Sequence, residues 1–261
     1  MRALDIASTG LTAQQANVDA ISQNLANATT TGFKAERPEF TDLLYQDQAR
    51  AGNNSTDQGT ILPVGIQVGL GVKQVAISHD TGQGTVQGTQ NPLDVAVQGK
   101  GYFQVQLPDG TTAYTRDGSF KISPEGVIVT NSGYTVEPAI TIPNNAVSMS
   151  IDTSGEVSVT IQGQTDPTNL GQLQLATFVN PNGLNQLGDN LLQESAASGT
   201  PIVNNPGLDG TGTVLQGYLE NSNVNSVTEV TNLIVAQRAY EMNTKVLTAV
   251  DKMLDTLNQS A

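Results

Sequence analysis

The sequence predicts an α+β fold: N- and C-terminal helices form a coiled-coil domain, and a mainly antiparallel β domain is inserted between them. Three observations carry this. Leu4, Leu11, Val18 and Leu25 recur every seventh residue at one end. Leu233, Tyr240, Leu247 and Leu254 repeat that spacing at the other. Between them lie short alternating runs punctuated by Gly, Pro, Asn and Asp. Heptad spacing keeps one stripe facing a partner helix, whereas period-two alternation belongs to strands with one buried face.

The N-terminal run, residues 1–28, has Ala7, Ile21 and Ala28 in its second seam, with Gln14 interrupting it. Its charges are only Arg2, Asp5 and Asp19; Gln15, Asn17, Ser22, Gln23 and Asn24 fill most other polar positions. Neutral amides and small residues suit a helix enclosed by neighbours, because they hydrogen-bond sideways without burying an unpaired ion. The helix is expected to end at Asn27 and the Thr29-Thr30-Thr31-Gly32 cluster, where β-branching and then Gly make continuation costly.

Residues 33–45 place Phe33, Phe40, Leu43 and Leu44 around Lys34, Arg37 and Pro38, which reads as a packed connector. Residues 46–60 are polar and rich in Gly and Asn, a loop by composition. Val64, Ile66, Val68, Leu70 and Val72 then alternate with Gly65, Gln67, Gly69 and Gly71. That strand is apolar on one face and nearly bare on the other, leaving room for another backbone.

The middle reads as a meander. Leu93, Val95 and Val97 are followed by Phe103, Val105 and Leu107, then by the turn Pro108-Asp109-Gly110. Turns at Asp117-Gly118, Pro124-Glu125-Gly126 and Asn131-Ser132-Gly133 separate an apolar face made of Phe120, Ile122, Val127, Val129, Tyr134 and Val136. Val157, Val159, Ile161, Leu173, Leu175 and Phe178 supply later strands. Such a series closes into a barrel-like or sandwich domain.

The C-terminal helix opens on a capping-box pattern, Ser226 with Glu229, and Glu241 with Lys245 adds an oriented pair four residues apart. Ala236, Val250 and Leu257 fill its second seam, and Ala239, Val246 and Met253 add a third row. The stripe is thus wider than one partner helix covers. At 1.5 Å per residue the helix spans about 50 Å. The expected division is 1–32 plus 226–261 as the helical core, 33–78 plus 205–225 as a connector, and 79–204 as the β-rich outer domain.

Composition excludes several classes of function. Only 4% of residues are aromatic and there is no Trp, so a sugar cleft lacks its usual lining. Cysteine is absent, which removes disulfides and thiolate metal sites. His79 is the single histidine and reads as a surface or loop residue; no nucleophile elbow, Walker loop or zincin pattern occurs. The carboxylate pairs Asp109 with Asp117 and Asp152 with Glu156 mostly sit beside Gly, where Asp forms turns first. Neither catalysis nor a cofactor nor a metal is expected. Of the net charge of −13, much lies in a stretch with no Lys or Arg between Lys121 and Arg238, including Glu125, Glu137, Asp152, Asp189, Glu194 and Glu220. That argues against nucleic acid and for a solvated surface that does not adhere. No run approaches the roughly 20 apolar residues of a membrane span, and residues 1–30 lack the layout of a cleaved secretory signal.

Read in order, Asn24-Leu25-Ala26-Asn27-Ala28-Thr29-Thr30-Thr31-Gly32-Phe33-Lys34 resembles the N-terminal signature of bacterial flagellar rod and hook proteins. Ser222-Asn223-Val224-Asn225, Glu229, Asn232 and Gln237-Arg238-Ala239-Tyr240-Glu241, with Asn243 and Lys245, resemble the signature at the other end. Asp94-Val95-Ala96-Val97, Gly99-Lys100-Gly101-Tyr102-Phe103 and Tyr114-Thr115-Arg116-Asp117-Gly118-Ser119-Phe120 are similar to the family's β domain. The run Pro138-Ala139-Ile140-Thr141-Ile142-Pro143 and the extended segment 46–72 are most similar to its distal-rod members.

The resemblance implies terminal helices forming an inner tube, a connector layer and an outer β domain, repeated with helical symmetry around an export channel. It implies a structural subunit of a hollow shaft passing torque from motor to hook, in the basal body from periplasm to outer membrane, exported without a cleaved signal. The implied partners are further copies of the chain, proximal rod proteins, the hook protein, the peptidoglycan-layer and outer-membrane ring proteins, and the type III export apparatus with the rod cap. The expected self-assembly interface is Leu4, Leu11, Val18, Ile21, Asn24, Leu25 and Asn27 with Leu233, Tyr240, Val246, Leu247, Val250, Leu254 and Leu257. Val64, Ile66, Val68 and Leu70 form the expected stiffening segment. The alternatives are another axial member, proximal rod or hook, or a secreted coiled-coil adhesin.

Overall fold

The computed structural model describes residues 2–49, 64–164 and 166–259, without the side chains of 49, 257 and 258. The assembly position expected at Leu257 and most of the expected loop 46–60 therefore lie outside the described residues. Helices at both ends flank a mainly antiparallel β region, an α+β fold. The chain divides into two compact units. A helical unit comprises Met1–Leu25, Glu36–Ser78 and Asn225–Ala261; a β unit comprises Ala26–Ala35 and His79–Val224.

In the helical unit, α1 (Arg2–Ala26) and α2 (Ser226–Gln259) contain no proline, which would break the ladder. In α1 the hydroxyls of Thr9, Thr12 and Ser22 donate to the carbonyls of Ile6, Ser8 and Val18 at 2.8, 3.1 and 2.7 Å. They satisfy themselves on their own helix and add no charge. The start of α2 differs from the capping-box expectation. Asn225 is the cap: its Oδ1 accepts the N–H groups of Val227 and Thr228 at 3.1 and 3.2 Å. An amide oxygen one residue earlier already reaches those orphan donors.

The connector also differs. Glu36–Asp42 is a strand pairing with Val72–His79, and Tyr45–Ala49 pairs with Ile66–Gly69. The alternating segment therefore forms two strands rather than one. Gly71 separates them at φ +118°, a conformation open to Gly and costly for residues with a Cβ. Phe40 and Leu44 are exposed, Leu44 at 82%, so the connector is not packed around them.

The β unit holds a nine-stranded sheet whose main path runs Asn185–Gly188, Leu191–Gln193, Thr112–Thr115, Tyr102–Gln106, Thr135–Glu137, Ile128–Val129, Lys121–Ile122. A three-stranded sheet, Ala146–Ile151, Glu156–Ile161 and Thr168–Gln172, shares its core. Val95–Gln98 pairs with Thr213–Gln216 and Val86–Gly88 with Tyr218–Glu220, so the unit's first and last strands close on each other. Phe103 and Phe120 meet edge to face at 5.0 Å, flanked by Val105, Val136 and Leu175. The opposite face of the central strands packs Tyr114 on Phe178, with ring centroids 4.8 Å apart. Each such aromatic contact adds about 0.5–1.5 kcal/mol beyond the area it buries.

The hairpin at Pro108-Asp109-Gly110 forms as expected: Gly110 N–H reaches Leu107 O at 2.9 Å, and Leu107 N–H reaches Thr111 O at 2.9 Å. One face is inverted. Ile128 is buried, while Val127 and Val129 are only partly covered. Val127 is held in an isolated bridge to Thr141, and the strand begins one residue later; a shift of one residue exchanges the faces. Ile122 lies on the short end strand and is exposed.

Candidate assembly interface

Helix α1 buries small side chains most completely: Ala7, Ala13 and Ala20, together with Ile21 and Asn24. The heptad positions Leu4, Leu11, Val18 and Leu25 are half-buried. Small residues let a neighbouring backbone come close. A Cβ placed on Gly10 would stand 3.1 Å from Asn243 Nδ2, and one on Gly71 would collide with Thr9 Oγ1. The bare glycine face is thus occupied within the chain, by Thr9 at Gly71 and by the Tyr45 ring at Gly69. A groove of about 220 Å³ runs between α1 at Thr9, Thr12 and Ala13 and the strand at Val72, Lys73 and Gln74.

Helix α2 carries one covered stripe with exposed apolar residues along both of its edges. Ala236 is buried, and Leu233, Asn243, Leu247, Val250 and Leu254 are half-buried along that stripe. Val230, Ile234, Val235, Met242, Val246 and Met253 are exposed; at 3.6 residues per turn Val235, Met242, Val246 and Met253 run beside Val250 on one edge, and Val230 and Ile234 lie beyond Leu233 on the other. Of the expected interface residues, Val246 lies on the open edge, and Tyr240, in the row of Leu233 and Leu247, is exposed at 40%. In the extended segment, Val64 is 73% and Ile66 53% exposed; Leu70 is exposed, and Val68 half-buried.

Two of the expected asparagines make bonds within the chain. Asn24 clasps Glu36 through both ends of its amide: Nδ2 donates to Glu36 O at 2.8 Å, and Glu36 N–H donates to Oδ1 at 2.7 Å. Asn27 Oδ1 accepts Thr30 Oγ1–H at 3.1 Å and fixes the turn after α1.

A buried charge cluster lies inside the β unit. Glu220, which the sequence places on a solvated acidic stretch, is buried at 1% exposure. Its Oε2 accepts Arg116 Nε–H at 2.6 Å, and its Oε1 accepts Lys34 Nζ at 2.6 Å and Gly84 N–H at 2.9 Å. The Arg116 guanidinium also donates to the carbonyls of Val97 at 3.1 Å, Gly99 at 2.6 Å, and Gly101. Burial alone would raise the Glu220 carboxyl, but the charge of Arg116 and the hydrogen bond from Lys34 outweigh it and hold it below its usual value. The signal available in sequence is Arg116 itself, a charge directly after the apolar-flanked run Ala113-Tyr114-Thr115: a fold that buries such a position must supply a counter-charge.

Three of the four candidate carboxylates, Asp109, Asp117 and Asp152, serve turns, and Glu156 opens a strand and accepts from Asn169. Asp109 accepts the hydroxyl and the N–H of Thr111 at 2.6 and 2.9 Å; these bonds hold it below its usual value. Asp152 is lowered by the backbone N–H of Thr153 and the hydroxyl of Ser154. A general acid needs the opposite shift. His79 ends the strand Val72–His79, where its backbone N–H donates to Asn182 Oδ1 at 3.1 Å.

Comparison with known proteins defines the class. The family model described as flagella basal body rod protein matches residues 4–34. That of the flagellar hook protein FlgE/F/G D1 domain matches 96–159, and that of the flagellar basal body rod FlgEFG protein C-terminal region matches 215–260. Both ends and the middle thus carry the marks of an axial structural protein of the bacterial flagellum. Full-length relatives narrow this further. The flagellar basal-body rod protein FlgG of Buchnera aphidicola from Schizaphis graminum is 53% identical over 97% of each chain. Those of Caulobacter vibrioides and Bacillus subtilis are 52% identical over 99% and 38% over 98% of each. The chain belongs to the FlgG family of flagellar basal-body rod proteins, structural subunits of the distal rod.

Proposed function

We propose that this chain polymerises with helical symmetry into a hollow drive shaft, α1 and α2 forming an inner coiled-coil tube and the β unit facing outward. The observation that carries the reading is the exposed apolar surface of α2, where Val230, Ile234, Val235, Met242, Val246 and Met253 are left open in the single chain. A face that meets a different face on the next copy gives an open helix rather than a closed dimer. The shaft transmits torque from the motor to the hook and contacts proximal rod proteins below and hook protein above. It performs no catalysis and takes no cofactor. It spans the periplasm to the outer membrane, reaches that site through the type III export apparatus, and grows beneath a rod cap. The acidic, Lys- and Arg-free stretch presents a non-adhesive surface to the peptidoglycan-layer and outer-membrane rings. Leu44, Tyr45, Val64 and Ile66, exposed on and beside the hairpin, wedge between neighbouring copies and stiffen the shaft.

The test is electron microscopy of polymer grown from the purified chain, compared with a variant lacking residues 226–261. Straight filaments from the first and soluble monomer from the second are expected. Filaments from the truncated chain would remove α2 from the assembly.

A further inference from the structure

The chain crosses between its units four times, at 25/26, 35/36, 78/79 and 224/225. On the β-unit side these crossings lie in or beside three segments, Ala26–Ala35, residues 79–84 and residues 220–224, and these three are bonded to one another. Asp80 N–H donates to Ala35 O at 2.8 Å, Ala35 N–H to Asn223 Oδ1 at 2.7 Å, and Asn223 Nδ2 to Asp80 O at 2.9 Å. Gly32 N–H donates to Glu220 O at 2.8 Å, and Lys34 Nζ reaches Gly82 O at 2.8 Å as well as Glu220. Two of the segments also meet at the Glu220 side chain, whose carboxylate ties Lys34 of the first and Gly84 of the second to Arg116, the residue that follows the strand Thr112–Thr115.

We propose that Lys34, Glu220 and Arg116 form a torsion lock, the point at which force carried along the crossing strands enters the β unit. The proposal rests on the drive-shaft reading. Backbone segments between folded units twist easily unless bonded crosswise, and bonds between full charges are about twice as strong as neutral ones. The Arg116–Glu220 pair is also buried, with 7% and 1% of the side chains exposed, so water does not readily replace that bond as it stretches; it resists shear more than a surface pair would.

The test uses cells whose sole copy of the chain carries Glu220→Gln or Lys34→Met. Complete basal bodies are counted by electron microscopy, and the rotation of an attached bead is followed against rising viscosity. Rods are expected to form, with speed near normal at low load, while at high load rotation fails about tenfold more often, the ratio lost with one charge-assisted bond. A role in fold stability alone lowers the number of rods without changing how speed depends on load. Speed–load curves that superimpose on the unsubstituted chain overturn the lock. If Glu220→Gln yields no rods, Lys34→Met decides, because it leaves the Arg116–Glu220 bond; absence of rods there too assigns the triad to folding and overturns the lock. Filaments that still rotate in cells lacking the chain altogether would sink the drive-shaft reading itself.

Discussion

Arg116 and Glu220, 104 residues apart in sequence, are joined by a 2.6 Å bond from Nε to Oε2, with 7% and 1% of their side chains exposed. Both charges are buried, so each depends on its protein partners: Arg116 on Glu220 and three carbonyls, Glu220 on Arg116, Lys34 and Gly84. Replacing Glu220 with Ala leaves two cations facing a dry cavity and is expected to cost about 3–5 kcal/mol. Glu220→Gln retains part of the hydrogen bonding and is expected to cost less. Urea midpoints of the full chain measure this; a loss below about 1 kcal/mol for Glu220→Ala would show that the site relaxes to admit water.

The same pair sets an acid limit. Glu220 is held below its ordinary carboxyl value in the folded chain, so its contribution is complete above the unfolded value of 4.5 and is lost as pH falls through the folded one. The stability gap between the natural chain and Glu220→Gln is therefore expected to be constant at neutral pH and to narrow in the acid range. Denaturation at a series of pH values tests it, and a gap that widens on acidification would contradict the sign.

Two glycines separate the causes of glycine dependence. Gly110 has φ +82° and nothing within 4 Å of an added Cβ, so Gly110→Ala meets backbone strain alone, about 1–2 kcal/mol. At Gly118 an added Cβ would stand 1.7 Å from Val95 O, and the Val95–Gln98 strand must move. Thermal unfolding should show a modest fall for the first and failure of cooperative folding for the second. Equal shifts would mean that the strand yields freely.

How far the sequence carried depended on whether a signal was local. The heptads of α1 and α2 and the Pro108-Asp109-Gly110 hairpin are written in neighbouring residues, and all three elements are present. The strand at Ile128 starts one residue later than the alternation predicts, because Val127 is held by the bridge to Thr141, a partner outside the run. The role of Glu220 was hidden for the same reason. Among nearby acidic residues it looks like one more solvated charge, and only the closure of Tyr218–Glu220 onto Val86–Gly88 brings it beside Lys34. Asn24 and Arg116 lie inside the motifs that resemble the flagellar family, yet their bonds run to Glu36 O and to three carbonyls, which spacing cannot display.

The cap of α2 offers a clean local test. Asn225 Oδ1 holds two N–H groups of the first turn, so Asn225→Ala is expected to cost about 1 kcal/mol, while Ser226→Ala should be nearly neutral. Hydrogen exchange of the first-turn amides reads the difference directly. Faster exchange in Ser226→Ala than in Asn225→Ala would restore the capping box.

The extended hairpin makes the most demanding prediction about the polymer. Leu44, Tyr45, Val64 and Ile66 are 82%, 58%, 73% and 53% exposed, and full burial of an exposed aliphatic side chain is worth about 1.5–3 kcal/mol, so covering these yields a large part of that at Leu44 and Val64 and about half at Ile66. A chain that leaves them open has that much to gain from a neighbour, repeated at every subunit contact. Deleting residues 46–72 should give rods that bend; the milder pair Val64→Ser and Ile66→Ser, which leaves the Tyr45–Ala49 pairing in place, should bend them less. Because the hairpin adds contacts between copies beyond those of the helices, both variants should still polymerise. Persistence length measured on electron micrographs separates the cases. Rods as straight as the unsubstituted polymer would leave the hairpin without a mechanical part, and loss of polymer altogether would place it among the assembly contacts themselves.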